Sequence, residues 1–69
     1  MKTTEIYNKF YTLLYEGIID ENAISLAVAE ACVKERHDEF IKLCNELQDV
    51  LISDREWIAF YLTMKFIEA

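Results

Sequence analysis

Hydrophobic residues recur at helical spacing through most of the chain, and the pattern is strongest from Ser53 to the last residue. Ser53 is followed three residues later by Glu56, the spacing of a capping box, in which the hydroxyl and the carboxylate each accept a backbone N–H. Ile52 and Trp57, on either side of the cap, hold the positions of a hydrophobic staple. The sequence therefore predicts a helix that begins directly after Ser53.

The apolar residues of this last helix fall on two stripes when each residue is rotated by about 100° from the one before it. The first stripe contains Trp57, Phe60, Tyr61, Met64 and Ile67, and the second contains Ile58, Leu62 and Phe66. Thr63 lies in a polar gap between the stripes. A helix with two apolar sides must be covered on both, so we expect the other helices to pack around this one.

A first helix is predicted from about Thr4 to Glu16, with Thr3 or Thr4 as its N-cap. It ends before Gly17, the only glycine, at the position where the residue after a helix usually takes a left-handed conformation. The next side chain, Ile18, is at the position that normally packs back onto the last helical turn.

A second helix is predicted from about Glu21 to Glu35, with Asp20 or Asn22 as its N-cap. It also carries two apolar stripes. The stripe that is rich in small residues is Ile24, Ala27, Val28 and Ala31. We expect a neighbouring helix to approach this stripe closely.

The densely charged run 34–39 separates the second helix from a third, predicted from about Glu39 to Ile52 with Val50 on its core face. Cations precede anions in this run, the order that suits the end of one helix and the start of the next. Asp38 is an acceptable N-cap, and His37 tolerates a left-handed turn. The alternative is one continuous middle helix, because the apolar spacing stays in phase and no Gly or Pro interrupts it.

These patterns predict an all-α fold, a small bundle of four short helices in a single domain over residues 1–69. The alternative is three helices with a long continuous middle helix. The chain has no proline and one glycine, too few turn residues for a β-rich fold of this length. Short loops between helices predict antiparallel packing of neighbours.

The charge balance argues against two classes of partner. Thirteen acidic residues against seven basic ones give a net charge of −6, which disfavours direct nucleic-acid binding and binding to an anionic membrane surface. As a recognition helix of a helix-turn-helix protein, the third helix would present Lys42 alone among several acids. The apolar run near the end of the chain is shorter than the ~20 residues that span a bilayer.

The candidates for chemistry are few. Cys32 and Cys44 lie on apolar helical faces and the first residues lack a signal peptide, so we expect reduced thiols in a soluble, cytoplasmic protein. His37 is the only histidine, whereas a structural zinc site needs four ligands. Burial would raise the pKa of either thiol and suppress its reactivity. We therefore expect no metal, no cofactor and no enzymatic activity.

Apolar surfaces are the stronger functional candidates, because a content of 54% hydrophobic residues is high for 69 residues. Three tyrosines recur four residues apart on the first helix, and tyrosine is favoured at protein interfaces. The predicted interface residues are Tyr7, Tyr11, Tyr15, Ile58, Leu62 and Phe66. The alternatives are that the tyrosines line the bundle edge with their hydroxyls in water, and that the second stripe is buried under the second helix.

The sequence thus predicts a small acidic helical protein-interaction module, a regulator that inhibits or adapts a larger protein by binding its surface. Its apolar surface also predicts a homodimer, the commonest closed assembly. The alternatives are a DNA-mimicking acidic protein, which needs its acids along one face, and a purely structural homo-oligomerisation unit.

Overall fold

The structure, a computed structural model, describes residues 1–69 and confirms the all-α fold with four short helices. α1 covers Thr3–Tyr15, α2 covers Leu26–Glu35, α3 covers His37–Leu47 and α4 covers Asp54–Glu68. A short 3-10 helix, Glu21–Ala23, lies between α1 and α2. The alternative with one long middle helix is wrong, because α2 and α3 are separate helices.

α4 begins with the predicted capping box. The backbone N–H of Glu56 donates to the Ser53 hydroxyl at 3.2 Å, and the Ser53 N–H donates to the Glu56 carboxylate at 2.9 Å. The same carboxylate accepts the N–H of Ile52 at 3.1 Å. The first turn of α4 therefore has partners for N–H groups that a helix start otherwise leaves unsatisfied.

α4 is the central element, since α1 and α2 both pack against it. This confirms the expectation that a helix with two apolar sides is covered on both. α1 runs antiparallel to α4, because Phe10 packs on Phe66 near the end of α4 whereas Tyr15 lies beside Arg55 near its start.

α2 and α4 run in the same direction, so antiparallel packing does not hold for this pair. Glu21, before α2, pairs with Arg55 in the first turn of α4. Arg36, directly after α2, pairs with Glu68 in the last turn of α4. α3 and its flanking loops separate α2 from α4 along the chain, and this length of chain allows α4 to lie parallel to α2.

The stripe of small residues on α2 lies mostly outside the core, at the edge of a groove shared with α4, and not against a closely packed helix as predicted. Ala27, Val28 and Ala31 are exposed, whereas Ala29, Cys32 and Val33 are buried in the core. The buried face of α2 consists of Ala29, Cys32 and Val33. Removing the apolar surface of Cys32 and Val33 from water favours turning this face of α2 toward the core. Ala29 and Ala59 of α4 are both fully buried, and such small side chains let helix backbones pack closely.

Thr63 lies in the core rather than in a polar gap. Its side chain is fully buried, and its hydroxyl donates to the carbonyl of Ala59 at 2.6 Å. This bond to the preceding turn satisfies the hydroxyl, so that burial leaves no polar atom without a partner. Phe60, Thr63 and Met64 consequently form one broad buried face of α4.

α1 ends as predicted but begins differently. Gly17 has φ +77°, and the next N–H donates 3.0 Å back to a carbonyl of the last turn, the arrangement of a Schellman motif. At the other end the N-cap position is Lys2, which makes no side-chain cap bond. Thr3 and Thr4 are inside the helix, so the predicted threonine cap is wrong.

The start of α2 is also later than predicted. Asp20 accepts the N–H of Asn22 at 3.0 Å, but this bond caps the 3-10 helix rather than α2. Ser25 caps α2 by accepting the N–H of Val28 at 3.4 Å. The chain therefore forms a separately capped 3-10 helix before α2 begins.

The predicted break between the middle helices is confirmed and lies at Arg36, whose φ of −117° and ψ of 45° interrupt the helical backbone. His37 and Asp38 already belong to α3, so neither forms a left-handed turn or an N-cap.

α3 ends at Leu47, earlier than the predicted Ile52. Gln48 takes a left-handed conformation with φ 56°, and the N–H of Asp49 donates 3.1 Å back to a carbonyl of the last turn. This is the same helix-ending motif as at Gly17, here formed by a residue for which the conformation is costly.

Candidate functional site

Large apolar side chains are exposed together at the end of the bundle where α1 stops and α4 begins. They lie on α1 and on the loops that follow α1 and precede α4, and their exposed fractions are between 69% and 77%. The residues are Tyr15, Ile18, Val50 and Ile52, here called the loop-end surface. The packing of Arg55 on Tyr15 brings the two loops to the same end of the molecule.

The loop before α4 exposes two of these residues by its local structure. Leu51 is buried, whereas its neighbours Val50 and Ile52 point away from the core. The indole N–H of Trp57 donates to the Leu51 carbonyl at 2.9 Å and holds the loop against α4. The predicted staple between Ile52 and Trp57 is therefore wrong, since Ile52 is the more exposed of the loop residues.

In the loop after α1, two adjacent residues also differ in burial. Ile18, predicted to pack back onto α1, is exposed, and Ile19 packs against the core in its place. The guanidinium of Arg55 lies 5.6 Å from the centre of the Tyr15 ring. Two hydrogen bonds of 2.7 Å and 3.1 Å to Glu21 fix that guanidinium, so the exposed ring is supported from one side.

The predicted interface residues separate into buried and exposed members. Tyr7 and Ile58 belong to the core, with 4% and 3% exposure, and offer no apolar surface to a partner. Tyr11 and Leu62 are half-buried against the core. Tyr15 and Phe66 are exposed, but near opposite ends of α4.

Phe66 forms a second, smaller apolar exposure. Its ring is 57% exposed and packs edge-on against Phe10 with 6.0 Å between ring centres. The adjacent Ile67 is also exposed. The second stripe of α4 is thus buried at its start, at Ile58, and open to solvent at its end.

Sequence reasoning missed Ile18, Val50 and Ile52 as surface residues. A signal was present for the last two, because the capping box at Ser53 requires non-helical residues before it. A third helix extended to Ile52 conflicts with that requirement. No comparable signal distinguishes Ile18 from Ile19.

The chemistry-bearing side chains are dispersed. Cys32 and Cys44 are buried free thiols, and His37 is exposed at the start of α3. Burial raises the pKa of the Cys32 thiol and outweighs the opposing effect of Arg36 and Lys65. No group of three or more His, Cys, Asp or Glu side chains is arranged to hold a metal ion.

Comparison with known proteins found no matching family model, no matching curated protein and no matching solved structure. None of the helices combines the length and the apolar character that crossing a membrane requires.

Proposed function

We propose that this chain is a small acidic protein-interaction module that inhibits or adapts a larger protein by binding its surface. The observation that carries the proposal is the loop-end surface, which exposes one aromatic and three β-branched apolar side chains at one end of the bundle. Binding residues are disproportionately found on loops held by a rigid scaffold. The capping box and the Trp57 hydrogen bond supply such a scaffold for the loop before α4.

The energetics favour a partner at this end. Fully burying one large aliphatic or aromatic side chain contributes about 1.5–3 kcal/mol relative to leaving it exposed. Binding also costs the entropy of ordering mobile side chains. Contact with Arg55, itself held by Glu21, restrains Tyr15 before any partner arrives, which lowers that cost.

The alternative partner at the loop-end surface is a second copy of this chain. The predicted homodimer included Ile58, which is buried within the chain. The loop-end surface and Phe66 remain available for self-association. A dimer through either surface would favour the alternative of a structural oligomerisation unit.

Affinity capture from an extract of the native host tests the proposal with three baits. The first is the wild-type chain, and the second carries Ile18→Gln with Ile52→Gln. The third, a matched control, carries Val28→Gln with Ile41→Gln, two exposed apolar residues on α2 and α3. We expect one protein to bind the wild type and the control directly, as purified components, and to bind the loop-end variant at least tenfold more weakly.

Equal binding by all three baits would overturn the assignment to the loop-end surface. Sedimentation velocity over a hundredfold concentration range tests whether a second copy of this chain is the partner. A wild-type dimer that Ile18→Gln with Ile52→Gln converts to a monomer, together with no direct partner, would replace the proposed regulator with an oligomerisation unit.

A further inference from the structure

A groove of about 300 Å³ lies between α1 and the loop that precedes α4, the loop that also carries Val50 and Ile52. Its polar lining includes Tyr7, Tyr11, Asp49 and Glu56, and its apolar lining includes Leu51. No lysine or arginine lines it. Ligand pockets for drug-sized molecules start at about this volume, so the groove suits a single side chain.

Tyr7 supplies a free polar atom inside this groove. The residue is 4% exposed, yet its hydroxyl has no hydrogen-bond partner within the chain. No fully buried polar side-chain atom is unsatisfied, so the Tyr7 hydroxyl opens into the groove that the residue lines. The Tyr11 ring stacks beside it, with 6.1 Å between ring centres and 28° between planes.

The charged residues that line the groove, Asp49 and Glu56, are both acidic. Burial raises the pKa of Tyr7, and the charge of Glu56 and that of Asp49 raise it further. Burial opposes ionisation of Glu56, but hydrogen bonds from Ser53 and Ile52 outweigh it and hold the Glu56 pKa below its usual value. The neutral Tyr7 hydroxyl thus lies near two carboxylates, while Arg55, which interacts with Tyr11 at one side of the groove, is already paired with Glu21.

We propose that this groove receives the guanidinium of an arginine side chain from the protein partner. Guanidinium stacks on aromatic rings and donates several hydrogen bonds in a plane. The half-buried Tyr11 ring offers the stacking face, and the Tyr7 hydroxyl and Asp49 carboxylate offer acceptors. Hydrogen bonds between charged groups are roughly twice as strong as neutral ones. The inference rests on the proposed function in that the arginine belongs to a partner.

The groove is tested without that partner, using the full chain labelled with ¹⁵N and titrated with N-acetyl-L-arginine amide. N-acetyl-L-citrulline amide, which has the same shape and no charge, is the control ligand. We expect saturable chemical-shift changes centred on the amides of Tyr7, Tyr11 and Asp49. The arginine compound should bind at least fivefold more tightly than the citrulline compound.

Two variants locate the binding. Tyr7→Phe keeps the ring and removes the hydroxyl, and Asp49→Asn removes a carboxylate on an exposed loop residue. Each should weaken binding at least threefold, whereas Asp38→Asn, an exposed acid at the start of α3 outside the groove, should leave it unchanged. Asp49→Asn decides the test if Tyr7→Phe does not fold.

Shift changes spread over all acidic residues, or equal weakening by Asp38→Asn, would overturn the inference. Because this titration needs no partner, its failure leaves the loop-end proposal standing. Failure of the affinity capture would likewise leave a groove that binds guanidinium.

Discussion

The indole N–H of Trp57 donates to the backbone carbonyl of Leu51 at 2.9 Å. Trp57 also packs edge-on against Phe40 of α3, with 6.4 Å between ring centres. One side chain of α4 thereby holds both the loop before α4 and the helix that precedes this loop. With Leu51 buried, its neighbours Val50 and Ile52 are directed outward, and this produces half of the loop-end surface.

Replacing Trp57 with phenylalanine should destabilise the fold by about 1–2 kcal/mol, because the partly buried Leu51 carbonyl would lose its donor. The urea midpoint, followed by circular dichroism, measures the loss. Tyr61→Phe is the control, since it removes a hydroxyl from a half-buried aromatic ring of the same helix. Equal midpoints for Trp57→Phe and the wild type would mean that the indole hydrogen bond contributes nothing to stability.

Ser53→Ala should cost about 1 kcal/mol, the usual effect of losing an N-cap side chain. For a domain of this size that corresponds to a fall of roughly 4–8 °C in melting temperature. Thr12→Ala, on the exposed side of α1, serves as the control and should not lower the melting temperature. An unchanged melting curve for Ser53→Ala would contradict the capping role.

Acidification should destabilise the wild type more than Glu56→Gln. The folded-state pKa of Glu56 is lowered, because hydrogen bonds from Ser53 and Ile52 outweigh desolvation. Its stabilisation is therefore complete above the unfolded pKa of about 4.3 and is lost as the pH falls through the folded-state value. Glutamine still accepts a hydrogen bond but does not titrate.

Melting temperatures recorded at intervals between pH 7 and pH 3 compare the two proteins. The difference in melting temperature between the wild type and Glu56→Gln should become smaller as the pH falls. Protonation of Glu56 removes the extra stability that its ionised carboxylate gives the wild type. A difference that stays constant over this range would show that Glu56 has the same pKa in the folded and unfolded chains.

Gln48→Gly should stabilise the protein by up to about 1 kcal/mol. Gln48 holds φ 56°, a conformation that costs a side chain roughly 1–2 kcal/mol and costs glycine little. The extra backbone freedom of glycine in the unfolded chain offsets part of this gain. Thermal melting compares Gln48→Gly with the wild type and with Gln48→Ala, in which a side chain still holds the left-handed conformation. A melting temperature of Gln48→Gly below that of the wild type would contradict the prediction.

Both thiols should react slowly with iodoacetamide in the folded protein, because Cys32 and Cys44 are buried and the Cys32 pKa is raised by burial. Mass spectrometry after timed quenching should show alkylation at least tenfold slower than in urea. Intact mass of freshly purified protein provides the second readout. An intact mass lower by two hydrogens would reveal a disulfide and would contradict the prediction of two free thiols.

The sequence alone determined the features that depend on local chemistry. The Ser53–Glu56 capping box and the left-handed Gly17 each follow from residues close together in the chain. The number of helices followed from the apolar spacing and from the charged run around Arg36. Such signals are readable because the groups that satisfy each other are separated by only a few residues.

Tertiary structure decided which of two equivalent faces or adjacent residues entered the core. On α2 the stripe with Ala29 is buried and Val28 is exposed. In the loop after α1, Ile19 packs against the core and Ile18 is exposed. Local pattern does not separate these pairs, because both members are apolar and their burial depends on where α4 lies. The loop-end surface and the groove at Tyr7 join α1 to residues that come much later in the chain, so they exist only once α4 has packed beside α1.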